Sequence, residues 1–472
     1  MIRFLSIVLL FALFLNTKAQ TQPVKISGIA PGYAGKSIDL LVQTDPITDR
    51  TSTVATIQVL ADGTFDTSVP VKQTSFCFAT FDRWKAELYL QPGANYHLLL
   101  PGYQPLTEAE KRNPFLQPIE IPFGLRDAEK NDINELIRSF EAAYVREEAN
   151  YFGQIFKDKS HAAADSMTAR LVRQFPKTKN GYFEDYKFYR LATIRFALNQ
   201  DNANEFIKTY LDRQPLPFNL PPYTQLFEQQ FTGFFYQESN RIGGDQFRNM
   251  VGKGNLAEIE NYLTGQKKWS PALSRMVILK GIADGYYQGQ FNPKTMLSLL
   301  EKIAGSNWNA QEKEVAKALQ HKLTYLTAGT AAPTISGADL NGQSFKLSDL
   351  RGKLVVLHFS SVTNPICRQH LDELKNIADQ FKGKVEFINL LPMADLAKKA
   401  LITQQNWPGR FILVDDQQLE KYRIKTFPIS YLVDEQGNLL YAPALNPTEG
   451  LSRQLSGLMK QRQIEKFRNQ AK

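Results

Sequence analysis

The chain has 472 residues, longer than one hydrophobic core usually supports, so two to four domains are expected. With 43% hydrophobic, 11% aromatic and 22% charged residues it has the composition of folded globular protein and excludes a disordered or fibrous chain. The net charge is +9, but the cations are interspersed with acids along most of the sequence, which argues against nucleic acid as a partner.

The start of the chain is distinct. Arg3 precedes an apolar run from Phe4 to Leu15, and Thr17-Lys18-Ala19 follows. A basic start, a short apolar run and small residues are the pattern of a secretory signal, predicted to be cleaved after Ala19. The run is too short to cross a bilayer comfortably, and no later stretch is long and apolar enough to do so; no transmembrane segment is expected after cleavage.

From 20 to 123 the sequence alternates in short runs: 36–42, 55–60, 75–81, 86–90 and 96–100. They predict a β-rich domain, an all-β antiparallel sandwich, in which Asp62-Gly63 makes a hairpin turn. Cys77, between Phe76 and Phe78, is expected on a buried strand face.

From 124 to 328 the period becomes helical, predicting an α-helical middle domain. Ile133, Leu136, Ile137, Phe140 and Tyr144 form one stripe, and Phe188, Leu191, Ala192, Arg195 and Phe196 most of another. Further helices are predicted over 256–263, 272–287, 293–303 and 311–325. Dense aromatics such as Phe231 and Phe234 to Tyr236 are expected to pack between helices. Small residues at 327–333 predict a linker.

Residues 329–472 alternate strand and helix, which predicts an α/β domain. Strands are expected at 353–359, 385–390 and 411–414, helices at 367–381 and 396–405, and a hairpin through 434–438 joining 429–433 to 439–441. The chain ends in a basic helix, with Arg453, Lys460, Arg462, Lys466, Arg468 and Lys472 facing only Glu465. Between the first strand and helix stands Thr363-Asn364-Pro365-Ile366-Cys367. Asn364 suits a helix N-cap and Pro365 the first helical position. Cys367 then falls in the first turn, where helix-terminal N–H groups favour a thiolate. Opposing this, it shares a stripe with Leu371, Leu374, Ala378 and Phe381, which points its sulfur to the core. His370, one turn on, is a candidate for proton exchange with Cys367, though a capped or partly exposed histidine is the preferred reading, since a helical pair alone rarely defines catalysis.

Residues 329 to about 460 resemble the TlpA and ResA type of thioredoxin-like proteins. The resemblance is carried by Ala332-Pro333, by Leu340 to Lys353, by Val355 to Phe359, by Cys367-Arg368 and by Tyr422 to Ile429. It implies a thioredoxin fold, an active Cys-x-x-Cys at 364–367, and a cis-proline at Pro428, after Phe427, facing the motif. Here Asn364 replaces the attacking cysteine, Thr363 a tryptophan and Ile366 the inner proline. Dithiol exchange needs one thiolate to attack and a second to release, so ordinary turnover is not expected. No cofactor and no metal are called for, since the five histidines show no ligand spacing.

Three functions fit these residues. One is an exported thioredoxin-like protein of the periplasm or cell envelope of a Gram-negative bacterium, contacting a protein or peptide through a groove at Thr363 to Ile366, Phe427 and Pro428. Another is a peroxide-reactive or thiol-dependent enzyme using Cys367 alone. A third places binding in the upstream domains. A bridge between Cys77 and Cys367 is not expected, because they stand 290 positions apart in the sequence.

Overall fold

The structure is a computed structural model that describes residues 22–107, 110, 113, 115–198 and 203–470. The segment read as a secretory signal lies outside the described residues. The chain divides into two compact units, one up to Pro105 and over Pro118–Ala318, the other over Leu106–Gln117 and Leu319–Lys472.

In the first unit, strands β1 (Gln22–Ile29), β4 (Thr64–Val71), β7 (Asn95–Leu99) and β9 (Gly124–Arg126) form one sheet in the order β4-β1-β7-β9. A second sheet has the order β3-β2-β5-β6-β8, from β2 (Ser37–Gln43), β3 (Thr51–Gln58), β5 (Ser75–Phe81), β6 (Trp84–Leu90) and β8 (Ile119–Pro122). Alternate residues point inward, Val24 and Ile26 from one sheet and Leu40, Cys77 and Ala86 from the other. Two features depart from the predicted antiparallel sandwich. The pairs β1–β7 and β6–β8 are parallel. The turn at Asp62-Gly63 joins β3 to β4, which lie in different sheets, so it is a crossover and not a hairpin. Strand β9 carries the β-rich region three residues past 123.

The helical region begins with α1 (Ile133–Phe152), which buries Ile133, Ile137, Phe140 and Tyr144. Asn134 ties it to the sandwich: its Oδ1 accepts from the Tyr89 N–H at 2.7 Å and its Nδ2 donates to the Tyr89 carbonyl at 3.0 Å. In the helix Gly181–Leu198 the buried residues are Phe183, Tyr186, Lys187, Tyr189, Ala192 and Ile194, and only Ala192 belongs to the predicted stripe. Neighbours pack on several sides of this helix, which erases a one-sided pattern. Phe231, Phe234 and Phe235 are core residues, while Tyr236 is half exposed. No helix among the described residues is long and apolar enough to cross a membrane.

The second unit has a seven-stranded sheet, β11-β10-β14-β13-β12-β15-β16. Its strands are β10 (Ser336–Asp339), β11 (Ser344–Lys346), β12 (Leu354–Phe359), β13 (Val385–Pro392), β14 (Arg410–Val414), β15 (Ile429–Val433) and β16 (Leu439–Ala444). Strands β12, β13 and β14 are parallel, and β15 runs antiparallel to β12. Every residue of β12 is buried, as a central strand covered on both faces requires. The predicted linker is not free: the Gly329 N–H donates to Leu439, the Ala332 N–H to Gly437, and the Leu439 N–H to Thr330. Small side chains let this segment lie against the hairpin.

Gly337 on β10 is required for close approach, since a Cβ there would stand 2.3 Å from the Leu413 carbonyl oxygen. Gly337→Ala is expected to cost about 1–3 kcal/mol, the usual penalty of overpacking, seen as a lower urea midpoint. An unchanged midpoint would contradict this packing.

Candidate functional site

Strand β12 ends at Phe359, and residues 360–364 turn into the helix Pro365–Gln380. Asn364 is its N-cap, with Oδ1 accepting the Ile366 N–H at 2.9 Å. The other end of the same amide, Nδ2, lies 3.4 Å from the Phe427 carbonyl oxygen. The Phe427–Pro428 peptide bond is cis. One side chain thus joins the helix terminus to the proline segment, and both of its ends are in use.

Around this joint Thr363, Pro365 and Ile366 are exposed, Ile366 at 55%, and Phe427 and Pro428 are half-buried. Cys367 is different, with 0% exposure beneath the helix. Cys77 is equally closed, and burial pushes its thiol up to about 12. Cys77 and Cys367 lie in different units, and neither is in a disulfide.

The turn is held from below by Asp395, which is 1% exposed. Its carboxylate accepts the Val362 N–H at 2.8 Å and the Ser361 hydroxyl at 3.2 Å. Arg368 donates to the Val362 carbonyl at 2.9 Å.

A buried polar chain lies beside the motif. Ser430 gives its hydroxyl proton to Asn446 Oδ1 at 2.8 Å, so the His358 ring, 2.9 Å away through Nδ1, donates to Ser430. Asn446 Nδ2 in turn reaches the Pro428 carbonyl at 3.4 Å. His370 stacks on His358 with ring centroids 6.0 Å apart and bonds Thr448 through Nε2 at 2.8 Å. Among the described residues His358 Nε2, His370 Nδ1 and Ser360 Oγ are buried without a hydrogen-bond partner. Burial drives His358 down to about 3, helped by His370, and burial also lowers His370 against the opposing pull of Glu449. Burial thus disfavours the charged form of both rings.

The sequence brings out Thr363, Asn364, Pro365, Ile366, Cys367, His370, Phe427 and Pro428, which follow the end of the interior strand β12 or precede the start of β15. It misses His358, Asp395, Ser430, Asn446 and Thr448. His358 reads as part of an apolar strand, and a lone Asp or Asn in a loop carries no spacing signal.

Residues 328–442 match the AhpC/TSA family. The thioredoxin-like protein YneN of Bacillus subtilis is 24% identical, over 29% of this chain and 81% of its own. The thiol-disulfide oxidoreductase ResA of the same organism is 24% identical, over 29% of this chain and 77% of its own. The C-terminal region is thioredoxin-like, of the TlpA/ResA type. A crystal structure of the thioredoxin domain of a thiol-disulfide oxidoreductase from Bacteroides vulgatus is 26% identical, with a TM-score of 0.25, over 28% of this chain and 97% of that one.

Two predictions follow from the geometry of this thioredoxin-like region. Asn364→Ala removes the cap and the tie to Phe427, and is expected to lower stability by about 1–2 kcal/mol in denaturant titration; no change would contradict the capping role. His358 binds a proton in the unfolded chain below its ordinary 6.5 but not in the fold until about 3. Its neutral burial is thus fully compatible with folding above pH 6.5, and stability falls as pH drops from there. The slope approaches about 1.4 kcal/mol per pH unit well below 6.5. Urea midpoints from pH 7 to 4 should show that loss, and His358→Gln should flatten it; equal slopes in both proteins would remove His358 as the cause.

Proposed function

We propose that this chain is an exported, envelope-located thioredoxin-like protein that does not turn over dithiol–disulfide exchange. It acts by holding a protein or peptide at the edge formed by Asn364, Ile366, Phe427 and Pro428. The observation that carries this reading is the state of position 364. Its amide is committed at both ends to the fold, while the sulfur at Cys367 has no exposed surface. A closed thiol meets neither a disulfide nor a peroxide, and an amide cannot attack either. What stays open is apolar surface, the exposed Ile366 and the half-buried Phe427 and Pro428, suited to contact. Export is supported by the basic, apolar and small-residue order of the first nineteen positions, and the division into a β-rich, a helical and a thioredoxin-like domain by the change of period at 124 and 329.

The test is insulin reduction by the purified protein in dithiothreitol, together with alkylation of Cys367 in a Cys77→Ser background. Insulin should precipitate no faster than with dithiothreitol alone, and Cys367 should react only on unfolding. Catalysed precipitation would overturn the loss of turnover. Fast alkylation of the folded protein below pH 8.5, the ordinary thiol range, would instead establish single-cysteine chemistry.

A further inference from the structure

In the first unit β5 pairs with β6 along its whole length, yet its ladder with β2 is one pair, Leu41 with Phe78. The residues just past that pair, Val42 and Gln43 on one strand and Phe76 and Ser75 on the other, line a cleft of about 580 Å³. That volume is ordinary for a small-molecule site. Both walls mix apolar and polar groups. The sandwich side sets Val54, Val71 and Phe76 beside Gln43, Lys72 and Gln73. The helix Pro221–Phe231 turns Thr224, Gln225 and Glu228 toward the cleft. These positions share one helical face, while Tyr223, Leu226, Phe227 and Phe231 are buried in the core.

Of this polar face the Thr224 hydroxyl is taken up, donating to the Phe218 carbonyl at 3.2 Å, and the other two side chains are not. Among the described residues neither Gln225 nor Glu228 has a side-chain hydrogen bond or ion pair. Burial pushes the Glu228 carboxyl up, opposed by Lys280 and assisted by Asp49 and Asp284. A purely apolar occupant would strip water from this carboxylate and give nothing back, and a purely polar one would gain nothing from the valines.

We propose that this cleft binds a small amphiphile whose apolar body lies on Val54, Val71 and Phe76 and whose hydroxyl or amino donors meet Gln225 and Glu228. It is a second site, independent of the thioredoxin-like edge.

The probe is N-phenyl-1-naphthylamine, an apolar aromatic amine, titrated by fluorescence into the full chain. Octyl β-glucoside below its micellar range and free glucose serve as competitors. Saturable binding at one site is expected, displaced by the glucoside and not by glucose. Val54→Trp fills the cleft from the sheet and should weaken the probe at least tenfold. Gln225→Trp fills it from an exposed helical position, so it tests the same point should Val54→Trp fail to fold. Glu228→Gln should weaken the probe about fivefold, the difference between a charged and a neutral acceptor. Absence of saturable binding, binding untouched by a folded filling variant, or failure of the glucoside to compete would each overturn the proposal.

Discussion

The thioredoxin-like edge depends on one amide. Asn364 satisfies an orphan N–H of the motif helix and at the same time points a donor at the carbonyl of Phe427, so the helix terminus and the cis-proline segment are located against each other by a single rigid group. A cysteine there would offer a weak acceptor and a weak donor, and would leave the joint to the backbone. The position that family resemblance gives to an attacking sulfur is thus one where reactivity and architecture compete for the same atoms. In this chain the atoms serve architecture.

Beneath the amide, polar groups that would be costly alone are made tolerable by being linked. Asp395 is a buried group met by the Val362 N–H and the Ser361 hydroxyl, and removing either takes away part of what offsets its desolvation. Ser430 and Asn446 link His358 to the carbonyl of Pro428 by hydrogen bonds, and Thr448 anchors His370 from the same loop. The residues after β16 therefore support both the histidine pair and the proline segment. A change at Asn446 would be felt at the edge of the groove although it lies outside the motif.

What the sequence made legible was local. The N-cap is written in two consecutive residues, Asn364 and Pro365, and the alternating strands and the stripe of α1 follow from a repeat within one element. What it hid was pairing between distant segments. Asp62-Gly63 has the chemistry of a hairpin turn, but the partners of β3 and β4 are chosen by side-chain packing across the sandwich, so the turn becomes a crossover. The helix Gly181–Leu198 is covered on several sides, and its stripe dissolves for that reason. His358 sits in an all-buried strand whose other members are apolar, and only the arrival of Ser430 from β15 gives it a partner.

Proton chemistry near neutral pH needs a group poised close to that range and within reach of a reactant. Here burial carries His358 down to about 3 and Cys77 up to about 12, both away from neutrality, and it closes the Cys367 sulfur to solvent. The open groups are of another kind: Ile366 at the thioredoxin-like edge, and Gln225 with Glu228 opposite the valines of the first unit. Each sets polar atoms beside apolar surface, the combination that a binding pocket presents. Burial thus closes Cys77, Cys367 and His358 and leaves Ile366, Gln225 and Glu228 open, so the accessible groups in each unit are not the sulfurs.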